Sequence, residues 1–251
     1  MKKCLYTCII NRTDKLKEPK VKTPGWDYIC FTDDPELTSK GWTVKLVGNP
    51  DNTDPIRLSR RIKHLYHEYI PDYDYSIYID ANRKPIGNMD DALQQTLTED
   101  TDLGMCEHPA RICLYDEAVR CIVRKLDDTR LIMKQMFYYM KEGFPPHAGL
   151  LGGPMIVRRK GRKNVEKYFE KVYENILKWS RRDQLSFNYI LWKYPIVKIN
   201  LFKWRLSLRG GKFFINQGHD GENIDTTRIW KGTLKEQRVF REGCQYGNFS
   251  L

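Results

Sequence analysis

Tyr75-Ser76-Ile77-Tyr78-Ile79 is the stretch that most restricts the fold of this chain. It runs directly into Asp80-Ala81-Asn82-Arg83-Lys84-Pro85. Five aromatic and β-branched residues form a strand, and the proline ends regular structure after the charged loop. An unbroken run of this kind suits a central parallel strand covered on both faces, where ligands gather beyond the carboxyl ends of the strands. Asp80 stands at such an end. It serves equally as a strand-end turn residue or as the cap of a helix near Asn88.

The flanking segments alternate. Cys4 to Ile10, Asp27 to Phe31, Trp42 to Val47, Asp102 to Cys106, Leu150 to Val157 and Ile196 to Ile199 read as strands. Helical spacing predicts helices over Arg57 to Tyr69, Asn88 to Leu97, Lys163 to Trp179 and Asp183 to Trp192. Tyr115 to Glu142 reads as one long helical stretch with a break near Asp127-Asp128, closed by Gly143. Such alternation predicts an α/β fold with a mostly parallel sheet flanked by helices. At 251 residues the expectation is a single domain over 1–251, with residues 200–251 a basic, aromatic extension.

A surplus of 43 Lys+Arg over 32 Asp+Glu, +11 in all, favours an anionic partner: a nucleotide diphosphate, nucleic acid or an acidic membrane surface. The seven cysteines show neither paired CxxC spacing nor a disulfide framework, which points to a reducing, cytoplasmic setting. No run approaches the roughly 20 apolar residues of a membrane span. Trp192-Lys193-Tyr194 and Leu201 to Arg209 interleave aromatics with cations, a pattern that suits either peripheral contact at the inner face of a membrane or edge packing on the sheet.

At the expected cleft, Arg57, Arg60 and Lys63 offer phosphate-matching cations or form the solvated face of a helix, and Arg60 and His67 are expected to project away from the apolar side. Asp33, ending the second strand, suits a nucleotide base or ribose, or begins a turn; Thr7 would line the same pocket. His108 and Arg111 follow a strand end and face the crevice, or Arg111 pairs with Glu117. His147 and Gly149 sit in a loop suited to an acceptor or sugar pocket, or form a structural turn. Asp183 is a candidate catalytic carboxylate, or an N-cap whose pKa the helix dipole lowers.

Asp80-Ala81-Asn82 looks like a variant of the Asp-x-Asp signature of nucleotide-sugar glycosyltransferases of the GT-A architecture. In series, Thr7, Tyr28 to Asp33, the Arg57/Arg60/Lys63/His67 array, Ser76 to Asp80, His108-Pro109-x-Arg111 with Tyr115 to Ala118, Glu142-Gly143 with Gly149-Leu150, and Arg182 to Phe187 resemble one family over roughly residues 4 to 192. It is the glycosyltransferase-like family that includes plant seed-mucilage and pollen-turgor proteins and many bacterial polysaccharide-locus enzymes.

The resemblance implies a GT-A-like, Rossmann-like transferase that moves a sugar from a nucleotide diphosphate to a glycan or lipid-linked glycan in polysaccharide biosynthesis. It implies Mn2+ or Mg2+ held by Asp80, Asn82 and His219, and a donor site drawing on Thr7, Asp33, Arg57, Arg60, Lys63, Asp80, His108 and Arg111. One plant member has been described instead as a ceramidase, so an amide-lipid hydrolase is a competing class, although neither GxSxG nor HExxH occurs. A basic nucleic-acid-binding module is the other; zinc-finger, RRM and KH signatures are missing, so no specific nucleic acid is expected.

Overall fold

The structure is a computed structural model, and it describes residues 1–202 and 212–218. Seven strands form the main sheet: β1 (Lys3–Ile9), β2 (Trp26–Thr32), β3 (Thr43–Leu46), β4 (Tyr75–Ile79), β6 (Leu103–Glu107), β7 (Leu151–Arg159) and β8 (Ile199–Phe202). Their order is β3-β2-β1-β4-β7-β6-β8. Six run in one direction, and β7 is antiparallel to both of its neighbours. β5 (Arg83–Pro85) pairs with β9 (Phe214–Asn216) in a separate two-stranded ribbon. The helices are α1 (Pro55–His64), α2 (Tyr66–Tyr69), α3 (Met89–Thr96), α4 (Leu114–Val123), α5 (Thr129–Lys141), α6 (Lys163–Lys178) and α7 (Gln184–Lys193).

The period-2 alternation of side chains divides each central strand between two cores. Cys4, Tyr6 and Cys8 of β1 join a cluster with Leu58 and Ile62 of α1, Val165 and Phe169 of α6, and Leu185 of α7. Leu5 and Ile9 join a second cluster with Met89 and Ala92 of α3 and with Phe213 and Phe214. One face thus carries most of the helices. The other carries α3 and the ribbon. Of the C-terminal extension, β8 completes the sheet edge and Phe213 and Phe214 are fully buried, which is edge packing. Residues 203–209, the core of the expected membrane-contacting stretch, lie outside the described residues. Among those described, no helix is long and apolar enough to cross a membrane.

One departure from the expected elements bears on the site. The helix expected over 57–69 is broken at Leu65, which leaves the helical region with φ −87° and ψ 46°. In a continuous helix the Lys63 carbonyl would accept from the backbone four residues on. Here it accepts instead from Arg158 Nη2 at 2.7 Å and from Tyr6 Oη at 3.2 Å. Arg158 is itself buried, donates to Tyr6 Oη at 2.6 Å, and lies over the rings of Tyr66 and Phe169. α1 therefore ends where Lys63 and His64 enter the interior. The stretch from 115 to 142 does break as expected, with Asp128 capping α5 through the Leu131 N–H at 2.7 Å.

Candidate active site

β1 and β4 end side by side, and the loops beyond them open a cleft of about 440 Å³. Asp80 is fixed there by backbone pairing, its N–H donating to the Pro154 carbonyl at 3.0 Å and its carbonyl accepting from Arg83 N–H at 3.0 Å. Its side chain is 31 % exposed and accepts from Tyr78 Oη at 3.1 Å. α1 approaches from above. Lys63, only 2 % exposed, places its ammonium 3.4 Å from Asp80 Oδ1 and 2.7 Å from Asp183 Oδ2, and 5.0 Å from the Tyr78 ring centroid.

Asp183 precedes α7 as its N-cap and accepts from the Gln184 N–H at 3.1 Å. It is also a buried charge hub, with Arg60 Nε at 3.7 Å and His64 Nε2 at 3.5 Å from the same oxygen that meets Lys63. Burial acts to raise its pKa, but Arg60 and Lys63 outweigh that and hold it well below the carboxylate range. Asp80 is likewise lowered, against the opposing effect of burial, by Lys63, Arg60 and Arg83. Arg60 is raised because its attraction to Asp183 overcomes desolvation. His64, stacked on Phe169 at 5.5 Å between centroids, is pushed down to about 3 by burial and is neutral.

Arg83 completes the cluster. It is buried on β5, lines the cleft, and burial lowers it to about 10; its Nε and Nη1 have no hydrogen-bond partner. Two buried guanidinium nitrogens left without hydrogen bonds are costly, so their placement beside a cleft favours an anionic ligand. Arg60, Lys63 and Arg83 face two carboxylates, Asp80 and Asp183, and the cluster is left net positive.

The other sequence-predicted residues are placed as follows. Asn82 lines this cleft, and its carbonyl accepts from the Gln217 N–H at 3.0 Å. Arg60 projects into the cleft rather than away from the helix's buried side, because Asp183 attracts it. Arg57 does not reach the cleft; it donates to the carbonyls of Ile176 and, at 3.0 Å, Trp179, where it caps the end of α6. Thr7 alternates with Cys8 along β1 and points to the opposite face, buried among the second core. Asp33 is exposed at the end of β2 and accepts from the Asn11 N–H at 2.8 Å, which closes the turn after β1. His219 lies outside the described residues.

His108 and Arg111 belong to a second cleft, also about 440 Å³, at the ends of β6 and β8. Arg111 Nε meets the buried Glu117 carboxylate at 2.5 Å, with His108 Nε2 at 3.8 Å from the same oxygen. Gly149 lines this cleft in the left-handed region, φ +81°, whereas His147 is exposed and does not line it. The two clefts share β7, which presents Leu151 to the second and Gly153 and Pro154 to the first.

Sequence reading passed over His64 and left Arg83 without a role. Arg83 was visible as a cation three residues past the strand-end aspartate. Nothing local distinguished His64 from the rest of a basic helix.

A parallel sheet with one reversed strand, flanked by helices and carrying a polar cleft at its carboxyl edge, defines an α/β protein of the GT-A-like class. The chain belongs to the family described as TOD1/MUCI70, glycosyltransferase-like domain, whose sequence profile matches residues 1–208 and so spans the whole main sheet. No curated protein matches the chain.

Proposed function

We propose that this protein is a nucleotide-sugar-dependent glycosyltransferase that delivers a sugar to a glycan or lipid-linked glycan acceptor in polysaccharide biosynthesis. The observation that carries the reading is the convergence of Arg60, Lys63 and Arg83 with Asp80 in one cleft. Glycosyl transfer builds oxocarbenium character at the anomeric carbon while negative charge grows on the departing diphosphate. Preorganised cations in a partly desolvated cleft stabilise that charge more strongly than water does. Arg83 would bind phosphate oxygens with its unpartnered N–H groups, Arg60 with its guanidinium, and the buried Lys63 as a fixed charge.

Asp80 and Asn82 offer one carboxylate and one amide oxygen at the same loop. That donor set fits Mg2+ or Mn2+, hard ions that keep waters and take phosphate oxygens as further ligands. Such an ion, when bound, would neutralise charge on the leaving diphosphate. Asp183 is suited to a positioning role rather than to proton abstraction: a carboxylate held far below its usual pKa by Lys63 and Arg60 is a weak base, but it orients both cations.

The test is a thermal-shift panel of UDP-, GDP-, CMP- and dTDP-sugars with and without Mn2+. One nucleotide class should raise the melting temperature, and Asp80→Ala and Arg83→Ala proteins that stay folded should lose the shift. No response to any donor, or an undiminished shift in both variants, would overturn the assignment.

A further inference from the structure

A second group of ligating side chains stands apart from the cation cluster. Cys113 immediately precedes α4 as its N-cap residue, and its thiol makes no capping hydrogen bond. Cys113 is buried at 2 % exposure. Asp116 follows three residues later in the first turn of the helix, and His147 arrives from the loop before β7. One donor atom from each, sulfur, carboxylate oxygen and imidazole nitrogen, lies within 4.8 Å of the other two. Tyr115 Oη donates to the Phe144 carbonyl at 2.8 Å and ties the His147 loop to α4 without any ion. The three donors are thus brought together by the fold itself.

We propose that Cys113, Asp116 and His147 bind Zn2+, as a clip between α4 and the loop that precedes β7. A mixed sulfur, nitrogen and oxygen set suits a borderline-soft ion and discriminates against the hard ions expected at Asp80. Zn–S and Zn–N bonds of about 2.3 and 2.0 Å place tetrahedral donors roughly 3.5 Å apart, so the group must contract by about 1 Å. His147 is exposed and Asp116 half-buried, so rotation of these two side chains toward Cys113 would supply that movement. Binding converts the Cys113 thiol to a thiolate and releases one proton per ion. Three protein ligands leave a fourth position for water or a ligand. Ile112 and Ala148, the neighbours of two ligands, line the second cleft, so the ion would hold two of its walls in register.

The experiment uses the full chain, freed of metal with a chelator and titrated with Co2+ and then Zn2+. One equivalent of Co2+ should produce a thiolate-to-cobalt charge-transfer band that Zn2+ abolishes. Cys113→Ser should lack the band, and His147→Ala, at an exposed position, should bind at least about 100-fold more weakly. Asp80→Ala should keep the band, which separates this site from the proposed donor cleft. A titration without a thiolate band, or one with the same affinity in His147→Ala as in the wild type, would overturn the proposal. Should Cys113→Ser fail to fold, the His147→Ala titration decides alone.

Discussion

The two clefts have similar volumes and lie along one edge of the sheet, yet they are built from opposite materials. The cleft at β1 and β4 gathers Arg60, Lys63 and Arg83 around Asp80 and Asp183. The cleft at β6 and β8 is walled by Ile112, Leu150, Leu151, Leu191, Val197, Ile199 and Leu201, and its Arg111 is already matched to Glu117. Charge at the first exceeds what its own carboxylates neutralise; at the second Arg111 is matched by Glu117, and Glu107 adds a further carboxylate. Only the first calls for an anion from outside. The contrast predicts that perturbing the first changes nucleotide binding, with stability falling too where a buried ion pair is broken, while perturbing the apolar wall of the second spares both.

The largest effect is expected at Lys63. Replacing it with Ala leaves Asp183 buried with its nearest cation removed, and loss of one partner of a buried pair costs about 3–5 kcal/mol. Urea unfolding should show it, and a loss below ~1 kcal/mol would mean that Asp183 is not held as described. Arg83→Met should break the link between stability and binding. Its guanidinium lacks partners at two nitrogens, so folding stability should hold or rise, while affinity for the preferred nucleotide-sugar falls about 10- to 100-fold, the worth of a charged hydrogen bond.

Gly153→Ala comes next. A methyl there would stand 2.9 Å from the Phe187 ring and 3.0 Å from Lys63 Nζ, so a loss of about 1–3 kcal/mol is expected, with weakened nucleotide binding as Lys63 shifts. The pH response is more gradual. Burial lowers His64 to about 3 and His108 to about 4, whereas both take up protons near 6.5 once unfolded. The unfolded chain therefore binds more protons below pH 6.5, and the melting temperature should fall progressively from there toward pH 4. Replacing His64 with Phe should flatten part of that slope; an unchanged profile in a His64→Phe, His108→Gln double variant would assign it elsewhere. Ile112→Ser should do least. Ile112 is 64 % exposed in the second cleft, so stability should move by less than ~0.5 kcal/mol and nucleotide affinity by less than twofold.

Much of the architecture was legible from local pattern. The apolar runs of β1 and β4 and the amphipathic face of α6 are each written in consecutive residues, and each element forms where that pattern places it. Asp80 was recognisable because a strand end is itself a local signal. Side-chain direction was less legible. Thr7 and Cys8 are neighbours with opposite destinations, and only the pairing of β1 with β2 and β4 decides which face is which. Arg57 and Arg60 share a helix, but one caps α6 while the other meets Asp183, and neither partner is visible from within α1.

What the amino-acid sequence determined alone was the alternation of strands and helices, the aspartate closing the fourth strand, and the excess of cations near it. Tertiary structure decided where α1 stops, which of its basic residues enter the cleft, and that Arg83 joins them. The reason lies in chain distance. Periodicity and capping act over a few residues, whereas the Lys63 carbonyl is claimed by Arg158 and the Lys63 ammonium by Asp183, both contributed by segments that meet α1 only when the sheet has assembled.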